Sequence, residues 1–324
     1  MRQPRKRATL ILAIGLLVTA CGGGATVAPA TSAPDGACAA APQPPSQQEG
    51  WTAPAEAPSA FPTIVNSSLT CGENRLLFTF VDATNRAVAK PDRTATVALF
   101  NLGRDTEKST LTAEATFVWG IEDVRGFYIA NVQFPEAGRW GAEFTTAVGA
   151  AEPEKIRMTF DVNTSSPTIR VGDKAPASDT LTTESVGGDL ARVSTDKDPD
   201  PAFYGTSVKA ALAARQPFVL IFATPKFCQS AQCGPTLDRI KPLATDYPTV
   251  TFIAVEPYEL VFRDESLTPA LDANGDLQSV PAVSEWGLLS EPWVFVVDRD
   301  GIVTASFEGI LSVDEIRAAA DAVK

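Results

Sequence analysis

The chain has 324 residues, a formal net charge of -12 and no histidine. The acidic balance excludes a nucleic-acid binder and a basic membrane-surface patch. The lack of histidine removes the commonest metal ligand and general base, which excludes zinc hydrolases, haem held by a proximal His and Ser-His-Asp catalysis. Met1 and Met158 are the only thioethers, too few for a Met-rich copper site.

Arg2, Arg5, Lys6 and Arg7 precede an apolar run from Ala8 to Val18 that is too short for a stable transmembrane span. Val18-Thr19-Ala20-Cys21 closes it. This resembles a bacterial lipobox. The resemblance implies a signal peptide over 1–20, acylation of Cys21, and an extracytoplasmic, lipid-anchored protein in a compartment where disulfides persist. Residues 21–61 are rich in Ala, Pro, Ser and Gly and read as a disordered tether.

Residues 62–166 carry strand signals in series. Leu76/Phe78/Phe80, Tyr128/Ala130/Val132/Phe134, Trp140/Ala142/Phe144 and Ile156/Met158/Phe160/Val162 each alternate on one face. Turn signals at 82–85, 91–92, 101–103 and 135–138 separate them. Short strands without a helical run predict an antiparallel β-sandwich. Pro135-Glu-Ala-Gly-Arg-Trp140 resembles the hairpin of small periplasmic Ig-like domains of the FixH/YtkA type, and the aromatic residues read as core. Cys38 and Cys71 remain once the other cysteines are assigned. A bridge between them would staple the tether to the sandwich, although four cysteines allow three pairings.

Ser165-Ser-Pro167 marks a boundary, and residues 167–324 hold the candidate site. Phe218–Ala223 is a short apolar run suited to a buried strand, broken by Thr224-Pro225. Cys228 and Cys233 follow, then Leu237, Ile240 and Leu243 at helical spacing. On one regular helix, residues five apart differ by a rise of about 7.5 Å and about 140° of rotation. A disulfide therefore closes only with Cys228 in the loop and Cys233 at or near the first helical turn. Two starts for that helix are open: at Gly234-Pro235, or near Ser230 with a hydrogen bond lost at Pro235. Ser312-Val-Asp-Glu315 is a capping-box pattern.

Val171-Gly-Asp-Lys-Ala-Pro176 resembles the opening segment of the thioredoxin-like redoxin families. The segment Trp286–Gly301 resembles the stretch in which those families place a cis proline opposite the active-site cysteines; the matching residue here is Pro292, preceded by Glu291. The chain departs from Cys-x-x-Cys, from the Thr-x-x-Cys of peroxiredoxins, and from the Cys-x-x-x-Cys plus His of Sco-type copper chaperones. It is most similar to bacterial thioredoxin-domain lipoproteins with an "ATPxFCQ…CGPxLD" signature. The expected fold class is thus two domains, an all-β Ig-like antiparallel sandwich followed by an α/β thioredoxin-like fold.

The resemblance implies a thiol–disulfide oxidoreductase with Cys228 as attacking thiolate and Cys233 as resolving thiol. Pro292, Glu291, Lys226 and Trp286 (with Glu285) are the supporting residues, no cofactor is called for, and no metal is assigned. Its partners are then protein thiols or disulfides at the outer membrane face and a separate redox partner. Two alternatives stand beside it. One is a non-catalytic surface binding or scaffold module with a structural disulfide. The other is a Cu(I)-handling dithiolate, which lacks a good third ligand.

Overall fold

Eight strands between Phe61 and Val162 form two four-stranded antiparallel sheets. The computed structural model describes residues 38–45, 49–51 and 58–324; Cys21, the 1–20 signal segment and much of 21–61 lie outside them. The strands are β1 (Phe61–Ile64), β2 (Gly72–Val81), β3 (Arg93–Asn101), β4 (Leu111–Glu114), β5 (Thr116–Ile121), β6 (Arg125–Phe134), β7 (Gly138–Val148) and β8 (Glu154–Val162). The sheet orders are β1-β2-β6-β5 and β4-β3-β7-β8. Alternation places Leu76, Phe78, Phe80, Tyr128 and Phe134 of the first sheet against Val97, Leu99, Trp140 and Phe144 of the second, all in one buried cluster. Phe78 and Phe144 meet across it with ring centroids 4.8 Å apart, and the Trp140 indole N–H donates to the Glu136 carbonyl at 3.1 Å, so the polar edge of that ring is satisfied.

Two described pieces of the segment read as a tether lie against this unit. Cys38 is paired with Cys71, their Cα atoms 5.9 Å apart. The backbone beside Cys38 joins β7's leading turn, with Ala41 N–H donating to the Ala137 carbonyl and Ala137 N–H to that of Ala39. Trp51 is buried against Phe100 and Leu102 and carries the Arg157 guanidinium 4.8 Å from its ring centroid. One large aromatic residue and one bridge anchor a segment whose composition otherwise favours disorder.

The carboxy-terminal half holds a mixed four-stranded sheet in the order β10-β9-β13-β14: β10 (Thr251–Val255), β9 (Phe218–Phe222), β13 (Trp293–Val297) and β14 (Val303–Glu308). β9 runs parallel to β10 and antiparallel to β13. A two-stranded hairpin, β11 (Leu260–Arg263) and β12 (Ser266–Pro269), stands beside it. Its helices are α1 (Val208–Ala213), α2 (Cys233–Ile240), α3 (Pro281–Glu285) and α4 (Val313–Asp321). Ser312 and Glu315 form the reciprocal capping box that opens α4.

The expected fold class is therefore corrected. Instead of a sandwich followed by an α/β thioredoxin-like domain, the chain is predominantly β. The described residues contain fourteen strands in four sheets and no α-helix longer than nine residues. Prolines and short apolar runs account for this. The helical spacing after Cys233 ends at Ile240, where Pro242 enters the first turn of a tighter 3-10 segment, Lys241–Asp246. Pro281 opens α3, which closes at Glu285. Between β10 and α3 the chain makes a hairpin, not a long crossover helix.

The two halves meet along the outer face of the β1-β2-β6-β5 sheet. Leu77, Val118, Phe127 and Ile129 point away from the sandwich core and bury with Ile310. At the same seam Arg75 binds Glu315 through two nearly parallel bonds of 2.6 and 3.0 Å and donates to the Ile310 carbonyl at 2.7 Å. Glu308 accepts the Ser67 N–H and the Ser290 hydroxyl, each at 2.8 Å.

Candidate functional site around Cys228 and Cys233

β9 is buried throughout, with Val219, Ile221 and Ala223 on one side of the sheet and Phe218, Leu220 and Phe222 on the other. The chain turns out of it at Thr224-Pro225, where the Phe227 N–H closes onto the Thr224 carbonyl at 3.2 Å. Cys228 sits in the following loop and Cys233 is the first residue of α2, their Cα atoms 6.0 Å apart. That is the arrangement required for a pair at this spacing. The helix start falls between the two positions open from sequence. With Cys233 leading, Pro235 is third in the helix, where its missing N–H removes no intrahelical bond.

This start leaves the first amide of α2 free. The Cys233 N–H donates to Cys228 Sγ at 3.2 Å, so the positive end of the helix is directed at that sulfur. The Ser230 hydroxyl lies 3.3 Å from the same sulfur and 3.1 Å from the Glu291 carbonyl. Its single proton serves one acceptor at a time. Cys228 is partly exposed while Cys233 is completely buried, so the pair is open to solvent only on the Cys228 side.

Glu291 is beside the pair. One carboxylate oxygen accepts the Gln229 N–H at 3.2 Å and the other accepts the Tyr258 hydroxyl at 2.9 Å. Burial and the neighbouring Glu291 carboxylate push the Tyr258 phenol above its ordinary range, so it stays a donor. The Glu291–Pro292 peptide is cis, and buried Pro292 accepts the Gly309 N–H at 2.8 Å.

The other sequence candidates lie elsewhere. The Lys226 ammonium is held by the hairpin, 2.7 Å from Ser266 Oγ and 3.1 Å from the Leu267 carbonyl, rather than by sulfur. Trp286 is fully buried with Phe222 and Phe295 in the cluster on the opposite sheet face from Cys233, its indole N–H donating to Ser178 Oγ. Glu285 accepts the hydroxyl of the same Ser178. Trp293 is buried and donates to Ser290. Cys21 lies outside the described residues.

Several groups near the pair carried no motif. Tyr258 and Ser230 are two; Ser230 was findable, since a hydroxyl inside a five-residue cysteine turn must lie close to one sulfur. The third is half-buried Glu256, just past the end of β10, with one carboxylate oxygen enclosed. It accepts both the amide and the hydroxyl of Thr195, at 2.6 and 2.7 Å, and the Thr195 hydroxyl in turn accepts the Lys226 N–H at 3.2 Å, two residues before Cys228. Burial pushes the Glu256 carboxyl up, and the Thr195 bonds pull partly against that.

The cysteine turn also touches the sandwich. Gln232 is buried where Gly120 of β5 leaves room for it; a side chain at 120 would meet the Gln232 amide and the Phe127 ring. Arg239 of α2 donates to the Trp119 carbonyl at 2.6 Å, and Arg125 to that of Ser230 at 3.4 Å. No helix among the described residues is long and apolar enough to cross a membrane.

No protein-family model and no curated protein matches the chain. Among solved structures, the filamin domain of Lin-41 is similar at 14% identity over 35% of this chain and 100% of that one, with a TM-score of 0.19.

Proposed function

We propose that the protein exchanges thiols and disulfides through Cys228 and Cys233, at the outer face of a membrane to which Cys21 anchors it. The observation that carries this reading is the asymmetry of the pair: Cys228 is accessible and receives a helix amide, while Cys233 is sealed. A substrate thiolate attacks Sγ of Cys228, the Cys228–Cys233 bond breaks, and Cys233 leaves as thiolate. A second substrate thiolate then attacks the substrate sulfur of the mixed disulfide and releases Cys228 as a thiolate. The substrate has lost two electrons and the protein has gained them; run backwards, the same steps reduce a substrate disulfide. The N–H of Cys233 stabilises the Cys228 thiolate as leaving group or nucleophile.

A second reading is favoured by the seating of Gln232 and Arg239 on the sandwich, which suits a permanent staple in a scaffold module. Equilibration of the pair with glutathione and dithiothreitol buffers, followed by thiol trapping and mass spectrometry, separates the two. A potential between about -120 and -270 mV supports exchange, and one below about -300 mV supports the staple.

A further inference from the structure

We infer that the reduced site is a zinc site, in which the Cys228 and Cys233 thiolates and the Glu291 carboxylate are three protein ligands to a Zn²⁺ ion with its fourth position open. The two sulfurs and one carboxylate oxygen all lie within 4.8 Å of one another. Tetrahedral zinc, with bonds of about 2.3 Å to sulfur and about 2.0–2.2 Å to oxygen, needs the sulfurs to part to about 3.7 Å and the carboxylate to stay near. The Cα separation of 6.0 Å allows this without moving the backbone.

The carboxylate is already oriented. Gln229 N–H and the Tyr258 hydroxyl each hold one oxygen, leaving a lone pair on both, and such outer donors commonly fix metal-ligating carboxylates. The donor set also selects the ion. A hard carboxylate in a two-thiolate site suits borderline Zn²⁺ better than Cu(I), and the chain has no histidine to complete a copper site. Buried Cys233 and partly exposed Cys228 leave the open position on the solvent side. Binding releases the thiol protons and involves no electron transfer, so zinc and the disulfide exclude each other. This inference rests on the pair being reducible, as the exchange reading requires.

The test uses the full chain in detergent, reduced and then desalted, beside a Cys228→Ser/Cys233→Ser variant that keeps Cys21, Cys38 and Cys71 as background. Free thiols are counted first, then Zn²⁺ is titrated against a chromogenic chelator and Co²⁺ is followed by its thiolate charge-transfer band. The expected result is two more thiols and one more tightly held zinc per chain than in the variant. Oxidised chain should hold no such zinc, Glu291→Gln should weaken it at least about tenfold, and Tyr258→Phe should weaken it less. If the two thiols appear but no additional zinc binds, or Glu291→Gln leaves the affinity unchanged, the zinc site is overturned and exchange stands. If the two thiols never appear in the folded protein, both readings fall.

Discussion

The two cysteine pairs span nearly the same distance, 5.9 Å between the Cα atoms of Cys38 and Cys71 and 6.0 Å for Cys228 and Cys233, yet they occupy different physical settings. The first closes a separation of 33 residues and pins a proline-rich segment to a strand, with ladder-like backbone bonds beside it. The second closes a separation of five, spans a loop and a helix start, and has a helix amide, a hydroxyl and a carboxylate around it. A bridge acts on stability mainly through the loop it closes, whereas its reactivity depends on what surrounds the sulfurs. Under the exchange reading proposed above, the same bond is structural in one half and chemical in the other.

The sharpest way to break that contrast is by activity. Cys228→Ser should abolish turnover of a chromogenic disulfide, and Cys233→Ser should accumulate a mixed disulfide visible by mass spectrometry. Cys38→Ser/Cys71→Ser should leave the rate per folded molecule unchanged. Comparable losses in both pairs would remove the distinction.

Stability should rank the pairs in the opposite order. Loop-closure entropy gives roughly 4 kcal/mol for the 33-residue separation and roughly 2 kcal/mol for the five-residue one. Urea midpoints of the two Cys→Ser double variants measure this directly. A larger loss for the 228/233 variant would mean that the turn depends on its bridge as a staple.

The seam that holds the cysteine turn against the sandwich supplies a third test. Arg75 and Glu315 are mostly buried, so Arg75→Ala strands a carboxylate and should cost about 3 kcal/mol at pH 7. Burial alone would raise the Glu315 carboxyl, but Arg75 and the Ser312 cap outweigh it and hold it below its ordinary value. Its contribution is thus fully present above the unfolded carboxylate range and is lost as the pH falls through the depressed folded value. Arg75→Ala should flatten the acid limb of a stability–pH profile; an unchanged limb would assign the seam's strength to the apolar cluster around Ile310.

The sequence was most legible where one residue type had one explanation. β9, the capping box at Ser312 and the alternation of Tyr128, Ala130, Val132 and Phe134 follow from period and composition. The same β6 strand shows where this stops. Phe127 and Ile129, on its other face, are also buried, because the carboxy-terminal half covers them; a nearly continuous apolar run signals two covered faces and does not name what covers the second. Leu243, at helical spacing from Leu237 and Ile240, falls instead in the 3-10 segment that follows α2, because Pro242 ends the regular helix before it. At the site the cysteines announce themselves by chemistry, whereas Tyr258 reaches Glu291 across 33 positions and Glu256 reaches Thr195 across 61, separations no local pattern encodes.

The smallest expected effect concerns Glu256, which reaches the cysteine turn through Thr195 and the Lys226 amide. Its folded pKa is raised by burial, so the folded state binds the proton more tightly than the unfolded one. Stability from this group is therefore greatest below the unfolded carboxylate range and declines as the pH rises through the higher folded value. Glu256→Gln should remove that decline. The amide oxygen keeps both Thr195 bonds, and the new NH₂ takes the enclosed position of Glu256 Oε2 beside the Thr224 hydroxyl, to which it can donate. The variant should melt roughly 2–4 °C higher than the parent at pH 8, a gain of about 1 kcal/mol, and no higher at pH 4.5. A gain of equal size at both pH values would assign the effect to packing rather than charge. A loss at pH 8 would show that the ionised carboxylate is what holds Thr195, and through it the Lys226 amide, in place.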